Sequence, residues 1–261
     1  MTREQDVILA LTAESLDDIE KTRIAAENRH RSLIQVYGME GTPQEQAAAV
    51  FAAGLLDLEQ QTILRLKRAM KAHPLGSWVK AQKGVGDKQA ARLLASIGDP
   101  YWHPETLNED GSVRHPEGPR NVAKLWAYCG LHVLPVSQAS HEDRRSVAGG
   151  EPASSPDHRS SDDRTGRVGA AAKRRKGVKA NWSTTAKMRA YLIATSCIKQ
   201  PDGNTYRDIY TARRAHTAVT HPEWTPGHSH NDGLRILSKE LLKDLWIAAR
   251  ELHGLAEQVA A

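Results

Sequence analysis

Cysteine is nearly absent from this chain. Only Cys129 and Cys197 occur in 261 residues, which argues against a disulfide framework or a cysteine-built zinc site. Aromatic residues are 5% of the composition, and Phe51 is the single phenylalanine. Long apolar runs are missing: no stretch approaches the roughly 18 residues that cross a bilayer. The segment Met1 to Asp6 has no apolar signal-peptide core. These absences exclude membrane-spanning, secreted-scaffold and collagen-like classes, and the expectation is a cytoplasmic protein with no membrane partner. No convincing alternating strand pattern occurs either, beyond a short candidate at Leu131 to Val136. The expected fold is therefore all-α, or mostly so.

Acid is missing from one long span. Arg164 to Gln200 contains no Asp or Glu and holds ten cations, so it carries +10 in a chain whose net charge is +5, and the remainder is −5. A basic tract on an acidic scaffold attracts a polyanion, because each neutralised phosphate releases condensed counterions. The competing reading is a solvated face or a basic linker.

What is present is mostly helical periodicity. Asp6 to Val36 places Leu9, Leu16, Ile19, Ala26 and Leu33 near heptad spacing, interrupted by Arg23 and His30. After the turn Tyr37 to Gly41, Thr42 supplies an N-cap, Pro43 the first helical position and Glu45 the far end of a capping box. This second helix is expected to end at His73-Pro74 and to bury Phe51, Leu55, Leu58, Leu66 and Met70, with Gly54 allowing close helix approach. Residues 1–73 are thus expected to form a coiled-coil hairpin, rich enough in apolar residues to seek a partner, either the same chain's core or a second copy. Residues 74–261 form a helical second part with a polar, flexible insert at about 137–163. Helices are expected at Leu75 to Ala81, Lys88 to Ile97, Val122 to Cys129, from Ser183 or Thr184 (with Met188, Tyr191, Leu192, Ala194 and Ile198 inward), Tyr206 to Val219 and Gly233 to Val259. Tyr101 to Pro119 and His221 to Asp232 read as loops.

The most informative motif is Gln82-Lys83-Gly84-Val85-Gly86-Asp87 between two helices. Its form is a helix–hairpin–helix. Glycines let the backbone approach a phosphate without a Cβ in the way, and the amides of the following helix N-terminus point at the anion. Lys83, Gly84, Val85, Gly86 and Lys88 are thus candidate DNA-backbone contacts, weighed against a purely structural turn. Arg167, Lys173, Arg174, Arg175, Lys176 and Lys179 would widen the footprint. His216, His221, His228 and His230 match no standard metal spacing, and neither a metal nor a cofactor is expected. Trp182, beside the basic tract, is a base-stacking candidate, with core packing as the alternative. Trp126 and Trp246 fall on apolar helix faces and are expected in the core.

In order, the residues Gln82 to Asp99, Leu125-Trp126-Ala127-Tyr128-Cys129-Gly130-Leu131, Gly166-Arg167 and Lys187-Met188-Arg189-Ala190-Tyr191-Leu192 carry a resemblance. Over roughly residues 75 to 200 the chain resembles the C-terminal part of insertion-sequence transposases of the IS-one-ten family. The resemblance implies a coiled coil followed by a helix–hairpin–helix domain bearing a nucleophilic serine. Ser140 lies nearest the family position, with Ser137 and Ser146 as competitors; His141 stands where the family has glycine. The family's RuvC-like domain has no counterpart, so DNA transposition or recombination chemistry would need a separately encoded RuvC-like partner. The partners implied are DNA and, through the family's guide, a structured RNA. Against this stands a non-catalytic reading, a helical oligomerisation scaffold or regulator with a basic nucleic-acid-contacting segment.

Overall fold

A computed structural model describes residues 3–134, 170–171, 177 and 180–260. It is mostly helical. The chain opens with a long antiparallel hairpin of α1 (Arg3–Gln35) and α2 (Pro43–Ala72). Thr42 caps α2 by accepting the Glu45 amide at 3.3 Å, and the Glu45 carboxylate reaches back to the Gly41 amide rather than to Thr42 itself. The two interruptions of the heptad prove to be ties across the hairpin. Arg23 donates to the buried Glu59, and His30 meets Glu45 at 2.5 Å. No helix among the described residues is long and apolar enough to cross a membrane.

The buried face of α2 is rotated from expectation. Ala52, Glu59, Ile63, Leu66 and Met70 turn inward, whereas Phe51 and Leu58 are 57% and 44% exposed. Each of these two precedes a buried position by one residue, about 100° around the helix. The inward register is fixed by the Glu59 tie to Arg23. Gly54 meets nothing within 4 Å of a notional Cβ, so it serves no close approach within the described residues. The corner after α2 is set by His73: its Nδ1 accepts the Leu75 amide and its Nε2 donates to Asp6 at the start of α1.

The remaining helices are α3 (Gly76–Ala81), α4 (Asp87–Ile97), α5 (Val122–Tyr128), α6 (Thr184–Cys197), α7 (Thr205–Thr220) and α8 (Pro226–Ala260). Side-chain caps from Asn121, Ser183 and Asn204 begin α5, α6 and α7. The helix α8 starts seven residues earlier than expected, so His228 and His230 lie in its first turns and not in a loop. Where Tyr101 to Pro119 reads as a loop, two short antiparallel ladders form: β1 (Trp102–His103) with β4 (Gly118–Pro119), and β2 (Thr106–Leu107) with β3 (Val113–His115). A third ladder joins β5 (Val133–Leu134) to β6 (Ala170–Ala171). Strands of two or three residues are too short to leave an alternation in the sequence.

One contiguous core joins these elements. Leu9, Leu16, Leu66 and Met70 from the hairpin base pack with Leu93 and Leu94 of α4, Ile193 of α6 and the stripe Leu234, Leu237, Leu241 and Leu245 of α8. Residues on both sides of position 73 thus share one interior. The expected inward positions of α6 are corrected in part: Ala194 is buried as expected. Met188 and Tyr191 are largely exposed, and Ala186, Ala190, Ala194 and Cys197 face the core, because small residues let α6 lie between α4 and α8. Trp126 and Trp246 are partly buried against the core, and their indole N–H groups donate to the Lys239 and Arg120 carbonyls.

Candidate nucleic-acid interface

The segment 82–86 turns the chain between α3 and α4. Gly84 has φ +94°, a region L residues rarely adopt, and a Cβ there would lie 2.9 Å from Cys197 Cα. Its inner side is therefore pressed against the end of α6. Val85 plugs the hairpin into the core. Asn204 Nδ2 donates to the Lys83 carbonyl at 2.9 Å, which ties the turn to the start of α7. The hairpin is held from three sides by its own fold.

The outer side differs. Gly86, the N-cap of α4, has no atom within 4 Å of a notional Cβ. Its carbonyl accepts the Gln89 and Ala90 amides at 3.0 and 2.9 Å. The amides of Gly86, Asp87 and Lys88 meet no acceptor among the described residues, as the geometry of a helix start dictates. They form an open, positively polarised rim beside the exposed side chain of Lys83. Asp87 adds a carboxylate in the same first turn. Lys88 points back instead: its Nζ donates to Glu20 of α1 at 2.8 Å.

Behind the rim lies a charged seam that the sequence does not announce. Arg92 is only 5% exposed, and it donates to both oxygens of Glu20, at 3.0 and 2.6 Å, and to Asp17. Arg189 of α6 donates to both oxygens of Asp17 at 2.7 Å. Burial pushes the Glu20 carboxyl up, but hydrogen bonds and charge from Arg92 and Lys88 outweigh it and hold the group below the usual carboxylate range. The acid-free stretch therefore does not present all of its charge to solvent. Arg189 is neutralised internally by α1, and burial lowers the Lys187 ammonium pKa, with the charge of Arg235 adding to it. Lys187 also lies over the Trp182 ring, 5.6 Å from its centroid.

Trp182 is half-buried and packs on Gly130 without joining the hydrophobic core. A Cβ at Gly130, φ +63°, would fall 2.4 Å from the indole Cδ1, so the glycine is the floor on which the ring lies. Cys129 and Cys197 are buried, and desolvation pushes their thiols up to about 12 and about 11. Neither is a nucleophile at neutral pH. The serines Ser137, Ser140 and Ser146, and the basic residues Arg167, Lys173, Arg174, Arg175, Lys176 and Lys179, lie outside the described residues, as does the insert at 137–163. Asp17, Glu20, Arg92 and Asn204 escaped the sequence reading. The acids sit three apart on α1, a spacing common on solvated helices, and only tertiary contact shows what they hold.

No family model matches the chain, and no curated protein matches it.

Proposed function

We propose that the chain is a cytosolic DNA-binding protein that grips duplex backbone through the α3–α4 hairpin, as in the transposase domain it resembles. The observation that carries this reading is the two-sided hairpin. Gly84 and Val85 anchor it inward, while Gly86 and the first amides of α4 stay open beside Lys83. Any helix start leaves such amides free; what favours contact here is Gly86, which places no side chain in front of them, and Lys83 beside them. Such contacts position DNA without reading its sequence, and the tract Arg167 to Lys179 adds charge to the same polyanion. The chain self-associates through the outer flank of the helical hairpin, where Val50, Phe51 and Leu58 are exposed apolar residues on α2.

The test is a gel-shift salt titration on duplex DNA. Binding should weaken linearly on a log–log plot, and each phosphate contact removed should flatten the slope by about 0.9. Replacing Lys173, Arg174 and Arg175 together by Ala is expected to flatten it by two to three contacts' worth, and Lys83→Ala by about one. Wild-type slopes in both variants would sink the reading.

A further inference from the structure

The cavity between α7 and the start of α8, about 590 Å³ in volume, lies apart from the hairpin. That size falls within the roughly 300–1,000 Å³ of ordinary ligand sites. Its walls include Tyr210, Arg214 and Thr217 of α7, His221 and Trp224 of the connecting turn, and Ser229 of α8. No carboxylate among the described residues lines it. Arg214 is exposed, and its guanidinium lies 5.9 Å from the Tyr210 ring centroid with no acidic partner among the described residues. The neighbouring acid Asp232 is already held by Arg213 and Arg235. Glu223, mostly exposed at the rim, meets His221 Nδ1 at 3.2 Å.

These walls are fixed in place before any ligand arrives. The Tyr210 hydroxyl and His230 Nδ1 are 2.6 Å apart, and the Tyr210 ring lies against Gly233, where a Cβ would come within 2.8 Å. The Thr217 and Ser229 hydroxyls pair at 2.7 Å. Trp224 is half-buried, and His221 stacks on it with centroids 4.2 Å apart and planes 7° from parallel. Thr225 caps α8 by accepting the His228 amide at 3.2 Å.

We infer that this cavity is a second nucleic-acid site, which takes an unpaired base of a single strand against the Trp224 indole and its adjoining phosphate on Arg214. An indole backed by a stacked imidazole is a rigid aromatic platform, and every base has a face to set on it. A half-buried aromatic wall with, among the described residues, one cation outside any ion pair and no lining acid matches a planar group joined to one anion. It does not match a paired duplex, whose bases present no free face. The site stands on geometry independent of the α3–α4 hairpin.

The test uses the full chain with a fluorescein-labelled oligothymidylate and with the same label on a duplex, read by anisotropy. Trp224→Ala is expected to weaken single-strand binding about tenfold, with duplex binding unchanged. Trp224→Phe, which keeps a ring, should restore most of it. Arg214→Ala, at an exposed position outside any ion pair, should weaken single-strand binding without altering the fold. Equal single-strand affinity in the wild type, Trp224→Ala and Arg214→Ala overturns the inference. So does an equal loss for single strand and duplex. Failure of the hairpin reading would appear elsewhere, as duplex binding insensitive to Lys83→Ala.

Discussion

Arg189 and Asp17 stand 172 residues apart in sequence, and in the fold the guanidinium of one closes on both carboxylate oxygens of the other at 2.7 Å. Arg92 shares the same carboxylate. One acid of the helical hairpin thus fastens α4 and α6 together. Asp17→Asn leaves the buried Arg189 without a charged partner while Arg92 keeps Glu20, and removing one partner of a buried pair costs about 3–5 kcal/mol. Urea denaturation should show that loss as a lower midpoint with an unchanged slope. Replacing Asp17 and Arg189 together by Leu and Met should cost less than Asp17→Asn alone.

Gly86→Asp separates folding from DNA contact. Asp is a better N-cap than Gly, by a few tenths of a kcal/mol, and the position has room for a side chain. The melting temperature is expected to hold or rise slightly. The same carboxylate occupies the anion position in front of α4, so duplex affinity should fall below that of the wild type, by a factor that widens at lower salt. A variant that loses stability and affinity together would point to a structural turn.

Two glycines should respond in opposite directions to alanine. Gly130→Ala forces a side chain into φ +63° and into the Trp182 ring, and it is expected to lose about 1–3 kcal/mol from the backbone alone. Gly54→Ala adds a methyl in open space within a helix and should gain about 0.5–1 kcal/mol. Thermal melts of the two single variants check both signs.

Glu20 predicts an acid limb. Its folded pKa is depressed, so its contribution is complete above the ordinary glutamate value of about 4.3. It is lost as pH falls through the lower folded value. Stability measured by urea midpoints from pH 7 to pH 3 should drop at the acid end. Glu20→Gln should be less stable at neutral pH and show a shallower drop.

Much of this architecture was legible because local signals agreed. Thr42-Pro43 with Glu45, Asn121 and Ser183 mark helix starts by chemistry that acts within a turn. The α8 stripe from Leu234 to Leu245 is read from periodicity alone and lies fully in the core. The hairpin motif was equally visible, since Gly84 and Gly86 sit between two helical patterns. What escaped depends on contact at a distance. Phe51 and Leu58 fit an apolar face better than Ala52 and Glu59 do, and the Arg23 tie to Glu59 favours the other register, one residue on. The breaks at Arg23 and His30 looked like flaws in the seam because their acids lie on another helix. Trp182 carried no local sign of Gly130, which supplies the flat surface beneath it. The start of α8 is hidden because Pro226 reads as a loop residue, whereas proline is well suited to the first position of a helix.

The ties from Asp17 and Glu20 have a mechanical consequence. A helix of this length spans about 50 Å at 1.5 Å per residue, and its stiff arm is bolted near its middle to the hairpin-bearing α4. A partner that grasps the far tip near Gly38 works at the long end of a lever. Its displacement would arrive at Arg92 and Lys88 through two carboxylates one helical turn apart, so the pose of the turn ahead of α4 follows that of the helical hairpin.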